Sequence, residues 1–365
     1  ARQDHASEHF VSSSSPLSGY AGPNSAYSSR TLWPKRFYQN NNTPQIHECY
    51  KTMEWIDTVN DLLADEDSRR RARFGPAKLP VTFIFALPRG ASTPFHQLIL
   101  SSMQVGYASN IMARFWRAPY LGALLQEDMQ TNDYVSNFRS KLGNTFGPLE
   151  PHEWGWFWRH WLRLKGDDHY CSKNDPPDFK VLSSLFGAIE SVTEAPLIFD
   201  SVFAMANIRE VRQAIPKTLA AHVIRPPYYV CNSIIKGRLA RSGNLSEFYG
   251  HRPRNIDDIL KINDPVEQIV RQVKSILNEM ERDLASFSSD EVFTVHQDEL
   301  LDDFNAITDR YAHFLASHDV EVTPKTNPLS VRFKSRNTPS LIEPAYRECL
   351  NKYFEKIIGP IPPGA

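Results

Sequence analysis

Four cysteines in 365 residues, Cys49, Cys171, Cys231 and Cys349, lie far apart and form no Cys-x-x-Cys pair. That spacing argues against a zinc ribbon or a dense disulfide framework. No stretch approaches about 18 consecutive apolar residues, so no membrane-spanning helix is expected. The charge has no dominant sign either: 41 Lys and Arg stand against 42 Asp and Glu, a formal net charge of −1. A general nucleic-acid binder needs a clustered basic excess that this balance does not supply. Apolar residues, by contrast, are plentiful at 41%, with 12% aromatic, which excludes a wholly disordered chain. The length suits one large domain or two modest ones. The chain begins at Ala1 rather than Met, which leaves a removed targeting segment open; the expected compartment is the cytoplasm. Two glycosylation sequons, at Asn41 and Asn244, are common enough by chance to decide nothing.

Residues 1–30 are rich in Ser, Tyr, Gly and Pro without periodicity, and an irregular arm is expected over 1–43. A main domain is expected over 44–320 and a C-terminal extension packing on it over 321–365. The first helix has Met53, Ile56, Val59, Leu62 and Leu63 at three- and four-residue steps and should stop at Gly75-Pro76. Its arginine run, Arg69-Arg70-Arg71 and Arg73, fits a solvated helix end better than a docking site for an acidic partner.

Val81 to Leu87 then form a continuous apolar run of strand length, as a strand buried on both faces requires. Pro88-Arg89-Gly90-Ala91-Ser92-Thr93 follow directly, and Pro94 suits the first turn of a helix through Leu98, Ile99 and Met103. Strand, small-residue loop and helix point backbone N–H groups at an anion. The loop lacks the Gly-Lys-[Ser/Thr] ending of a Walker A motif, which would supply a lysine for the β/γ-phosphates and a hydroxyl for magnesium. It offers instead one guanidinium and two adjacent hydroxyls, a set suited to a doubly charged group held without a metal. An ordinary buried strand and capped helix is the competing reading of this segment alone.

Further strands are expected at 196–199 and 220–224, with helices over 207–214 and 228–238. Alternating strands and helices imply a parallel sheet with ligands beyond the strands' C-terminal ends, where both Arg89 and Arg225 fall. Ser233 lies eight residues after Arg225 inside the following helix, so a guanidinium and a hydroxyl come within reach of a second phosphate.

These residues resemble the sulfotransferases that use 3′-phosphoadenosine-5′-phosphosulfate (PAPS), a resemblance covering residues 80 to about 315. Their 5′-phosphosulfate loop, Pro-[Arg/Lys]-Ser-Gly-[Ser/Thr]-Thr after the first strand, is similar to Pro88–Thr93; their 3′-phosphate element matches Arg225 and Ser233. The stretches 106–110 and 147–153 resemble bacterial-type members. The resemblance implies an α/β, P-loop-NTPase-like three-layer fold with a central parallel sheet flanked by helices. It implies a transferase moving a sulfuryl group from PAPS, with no metal, to an acceptor hydroxyl on a glycan, lipid or small molecule. Arg89, Gly90, Ala91, Ser92 and Thr93 would hold the phosphosulfate, Arg89 would also act in catalysis, and Arg225 and Ser233 would grip the 3′-phosphate.

Four positions depart from the family pattern. Gly90-Ala91 replaces Ser-Gly, and alanine is tolerated there if its φ is negative. Asp200 stands where many relatives carry a strand lysine, and Asn110 stands near the place of an acidic base in some of them. The base is therefore expected elsewhere: His152 and Glu153 beside the cluster Trp154-Trp156-Phe157-Trp158-Trp161 come first, then Glu150, then His96. The cluster reads as core or as an acceptor surface. Two other classes remain open, a nucleotide-dependent kinase and a non-catalytic nucleotide-binding relative.

Overall fold

In the computed structural model the described residues are 45–130, 134–325, 335 and 337–362. The expected arm over 1–43, and Lys334 and Arg336, lie outside them. In chain order the elements are α1 (Gln45–Arg71), β1 (Val81–Phe85), α2 (Ser92–Ser102), α3 (Pro119–Met129), β2 (Ser140–Lys141), β3 (Asn144–Thr145), α4 (Gly155–Trp161) and α5 (Phe179–Thr193). Then come β4 (Leu197–Asp200), α6 (Val202–Ala206), α7 (Ile208–Ala214), β5 (Thr218–Ile224), α8 (Pro227–Ser242), α9 (Ile256–Leu260) and α10 (Pro265–Leu284). The chain closes with β6 (Val292–His296), α11 (Glu299–Asp302), α12 (Phe304–Ala316) and α13 (Arg347–Ile357).

The central sheet has the order β4-β1-β5-β6, and every pairing is parallel. All five residues of β1 are buried, as a central strand covered on both faces requires. Alternation along it splits the core. Phe83 and Phe85 pack with α5, α8 and α10, whereas Ile84 packs with α2 and α12. Thr82, on the second face, accepts the Tyr311 hydroxyl at 2.9 Å. This is the three-layer α/β architecture expected, and the register sets Asp200 beside Ile84 at the edge from which the loop 88–93 emerges.

The expected 207–214 helix is α7, and a further short helix, α6, precedes it, the two separated at Asn207. Its side chain donates to the His169 and Phe203 carbonyls and accepts the Cys171 N–H. The stripe expected on α1 is also different. Leu62 is 76% exposed, and among the helix residues from 54 on, whose side chains are described, the buried ones are Ile56, Asn60, Asp67 and Arg71; Met53 lies outside them. Asn60 holds Arg114 O and Arg117 N–H, so specific hydrogen bonds dock that face, where apolar spacing alone pointed elsewhere. Arg69 and Arg70 pair with Glu66 on the helix surface, and Arg71 turns inward to Asp67. The helix α13 packs on α8 and α10, with Tyr228 donating to Asn351 and Tyr353 to Asp264. No helix among the described residues is long and apolar enough to cross a membrane.

Candidate active site

The loop after β1 is bent by a 2.7 Å bond from Gly90 N–H to Leu87 O. A Cβ at Gly90 would stand 2.6 Å from that same oxygen, so no other residue fits without moving the backbone. Arg89 and Ala91 flank it at φ +68° and +77°. The condition under which alanine would fit without cost, a negative φ, is thus not met: the turn needs the left-handed conformation that glycine would adopt freely, and alanine holds it under strain. Ala91 is the N-cap of α2 and makes no side-chain cap bond, so the first N–H groups of this eleven-residue helix have no partner inside it.

Arg225 follows the last residue of β5, and its guanidinium reaches across the sheet edge to donate to Arg89 O at 2.7 Å. Its Nε donates to Asn337 Oδ1 at 3.0 Å. From α8, Ser233 Oγ accepts Arg89 Nε at 3.3 Å. Two segments more than 130 residues apart in sequence therefore meet at one arginine. Asn337, in the C-terminal segment, had no signal in the sequence.

These groups border a cleft of about 2110 Å³. Arg89, Ala91, Ser92, Thr93, His152, Glu153, Asp200 and Arg225 line it, and the partly exposed Ser233 adjoins it through Arg89. Glu153 is placed by its neighbours: His152 N–H donates to Ala108 O, and Trp154 at φ +53° opens α4. Between these two anchors the Glu153 side chain faces the cleft. The hairpin β2–β3 covers it, and a Cβ on Gly143, at φ +94°, would lie 3.4 Å from Glu153 Oε1 and 3.8 Å from an Arg89 terminal nitrogen. Glu153 is exposed to the cleft, and within it desolvation by the surrounding walls, then the Asp200 carboxylate, push its pKa up, against the pull of Arg89. Burial likewise raises Asp200, which the Ser92 hydroxyl partly counteracts.

The other acid–base candidates are occupied or buried outside the cleft lining. His152 Nδ1 accepts Trp154 N–H at 2.8 Å, and burial lowers its pKa to about 4. Its proton therefore sits on Nε2, a donor. Glu150 is buried and accepts from Gln97, Tyr134, Ser136 and the Asn137 N–H, a structural hub. His96 is 1% exposed and packs edge-on to Tyr107. Asn110 clamps the hairpin, donating to Thr145 Oγ1 at 3.0 Å and Gly147 O at 2.7 Å. Trp154, Phe157 and Trp158 are core, stacked or edge-on to Phe199, Phe186 and Phe83, while Trp156 lines the cleft. Among the described residues no group of three or more His, Cys, Asp or Glu is arranged to hold a metal.

No family model and no curated protein matches the chain. Among solved structures it is similar to the sulfotransferase STF9 of Mycobacterium avium, with TM-score 0.49, 13% identity, and 82% of this chain and 80% of that one covered. The sulfotransferase STF1 of Mycobacterium tuberculosis H37Rv aligns at TM-score 0.49 and 13% identity over 88% and 89%. The sulfotransferase domain from the curacin biosynthetic pathway aligns at 0.39 and 12% over 78% and 94%. The roles assigned to individual residues rest on the geometry above.

Proposed function

We propose that the chain is a sulfotransferase that moves a sulfuryl group from PAPS to an acceptor hydroxyl. The observation that carries this reading is the meeting of Arg89, Arg225 and Ser233 beside a glycine-dependent turn and a free helix N-terminus, at the C-terminal edge of a parallel sheet. In it, the α2 N–H groups with Ser92 and Thr93 receive the 5′-phosphosulfate, and Arg225 with Ser233 receives the 3′-phosphate.

Glu153 is the base. A carboxylate raised toward neutrality accepts a proton more readily than an ordinary one, and a positioned base is worth roughly 10²–10⁴-fold. Glu153 takes the acceptor's hydroxyl proton, the acceptor oxygen bonds to sulfur, and the bond from sulfur to the bridging oxygen breaks. The leaving 3′-phosphoadenosine-5′-phosphate keeps that electron pair, and Arg89 meets the charge it develops. His152, whose free Nε2 carries a proton, serves as a donor in the cleft.

The test is a thermal-shift titration with 3′-phosphoadenosine-5′-phosphate in a chelator, run beside ATP with magnesium. Saturation at 100 times Kd should add about 2.7 kcal/mol. A response to ATP–magnesium alone would move the reading to a kinase, and silence from both would end it. Binding of the bisphosphate without turnover on any acceptor would identify a non-catalytic relative. That second reading draws on the two bonds that already occupy Arg225.

A further inference from the structure

Beyond the donor loops the cleft runs on to a wall formed by His169, His251 and Arg252 together with Phe203 of α6. From this wall a chain of side chains leads inward. His169 Nδ1 lies 3.0 Å from His251 Nδ1, and His251 Nε2 lies 3.1 Å from the Tyr170 hydroxyl. That hydroxyl donates to Glu279 Oε2 at 2.6 Å, and Arg254 N–H donates to the other Glu279 oxygen.

Counting protons along this chain fixes every tautomer. Tyr170 has one hydroxyl proton, and Glu279 takes it, so the Tyr170 oxygen must accept from His251 Nε2–H. Burial holds both imidazoles neutral, with Arg159 and Arg252 also opposing a charge on His169 and Arg254 opposing one on His251. A neutral His251 protonated on Nε2 presents a lone pair on Nδ1, which must accept from His169 Nδ1–H. His169 is then left with a bare lone pair on Nε2, for which no group among the described residues is a partner. The Arg252 N–H competes for His169 Nδ1, but at 3.4 Å against 3.0 Å it is the weaker contact. The segment is held in place, since Asn207 donates to His169 O at 2.7 Å and the Phe203 ring packs 4.7 Å from the imidazole.

We propose that His169 Nε2 is the hydroxyl-receiving atom of an acceptor subsite, and that the acceptor is a polyhydroxylated, sugar-like molecule. The class follows from the wall that holds His169: the Phe203 ring packed 4.7 Å from the imidazole and the Phe248 ring beside Arg252 offer apolar surface for ring C–H groups, and Arg252 with its ion-pair partner Asp167 offers a donor and an acceptor for hydroxyls. A nitrogen this weakly basic does not take the proton, so its work is recognition, and His251, Tyr170 and Glu279 are positioning residues behind it. Naming this molecule the acceptor rests on the sulfotransferase reading; the subsite itself does not.

Long-range ¹⁵N–¹H NMR on the ¹⁵N-labelled full chain, with His169 assigned through His169→Gln, reads the tautomer directly. Nδ1 should be protonated and Nε2 bare at both pH 7 and pH 5.5, and Tyr170→Phe should mix the tautomers while leaving the fold intact. The opposite tautomer, or an imidazolium at pH 5.5, would overturn the relay. Diethyl pyrocarbonate, which acylates a bare imidazole nitrogen, then reports occupancy, with maltohexaose and a heparosan hexasaccharide as neutral and carboxylated probes. At least one should slow His169 modification fivefold or more. His169→Gln, which keeps an acceptor atom near Nε2, should bind that sugar within about twofold of the native chain, and His169→Phe about tenfold more weakly. Protection by neither sugar overturns the sugar class, and protection by p-nitrophenol in their place would redirect it to phenols. Binding of 3′-phosphoadenosine-5′-phosphate, measured on the same samples, is a separate readout: its failure beside sugar protection removes the donor reading and keeps the subsite.

Discussion

Ala91 and Glu153 carry opposite kinds of strain, one conformational and one electrostatic. At φ +77° alanine pays about 1 kcal/mol or more that glycine would not. Glycine, however, costs about 0.4–1 kcal/mol through the freer unfolded chain. Ala91→Gly should therefore be neutral to stabilising, by up to about 2.5 kcal/mol, and should tighten 3′-phosphoadenosine-5′-phosphate binding by removing a methyl from the anion's approach. A lower melting temperature together with weaker binding would show that the turn does not limit the site. For Glu153 the sign follows from its raised pKa. Between the ordinary carboxylate range and the raised value, the folded chain binds a proton that the unfolded chain has lost, so stability falls as pH rises. Turnover runs the other way, because the ionised form is the base. Glu153→Gln should cut kcat by roughly 10²–10⁴-fold and abolish its rising pH limb. It should raise the melting temperature more at pH 8 than at pH 5. Retention of the native pH limb in the variant would assign the base to another group.

Among the elements, the short β2–β3 hairpin matters more than its size suggests, because Gly143 at its turn lies over both Glu153 and Arg89. Asn110 holds it there with hydrogen bonds that only an amide donor can make. Asn110→Asp would set carboxylate oxygens against the Gly147 carbonyl and leave these acceptors unmet, costing about 1–3 kcal/mol. A fall of several degrees in the melting temperature, with turnover lost along with the hairpin, is the expected outcome. Unchanged stability with raised turnover would instead restore this position as that of a missing base. The hairpin was not legible in the sequence, since two-residue strands leave no periodic signal, whereas β1 announced itself as an unbroken apolar run. The same distinction separates Phe83 and Phe157, whose burial local pattern conveys, from Asn60 and Asn207, whose roles come from carbonyls far along the chain.

Over the whole molecule, the candidate site is a product of topology. Parallel strands deliver Arg89, Asp200 and Arg225 to one edge because β1 is paired with both β4 and β5. Local motifs were enough to propose that Arg89, Arg225 and Ser233 converge, since a parallel sheet fixes where strand ends go. They could not show that Arg225 would be tied to Arg89 O, or that Asn337 would brace it from the C-terminal segment. Arg225→Ala consequently has two effects. Loss of the bond to Arg89 O loosens the loop and should weaken any nucleotide carrying a 5′-phosphate by a similar, modest factor. Loss of a charge-assisted contact to the 3′-phosphate adds about 1.5–3 kcal/mol, or roughly 10–100-fold, for ligands that have one. Calorimetry with 3′-phosphoadenosine-5′-phosphate beside adenosine-5′-phosphosulfate separates the two, because only the first carries a 3′-phosphate. An equal loss for both would mean that Arg225 acts solely as a brace for the loop, and the 3′-phosphate would need another cation.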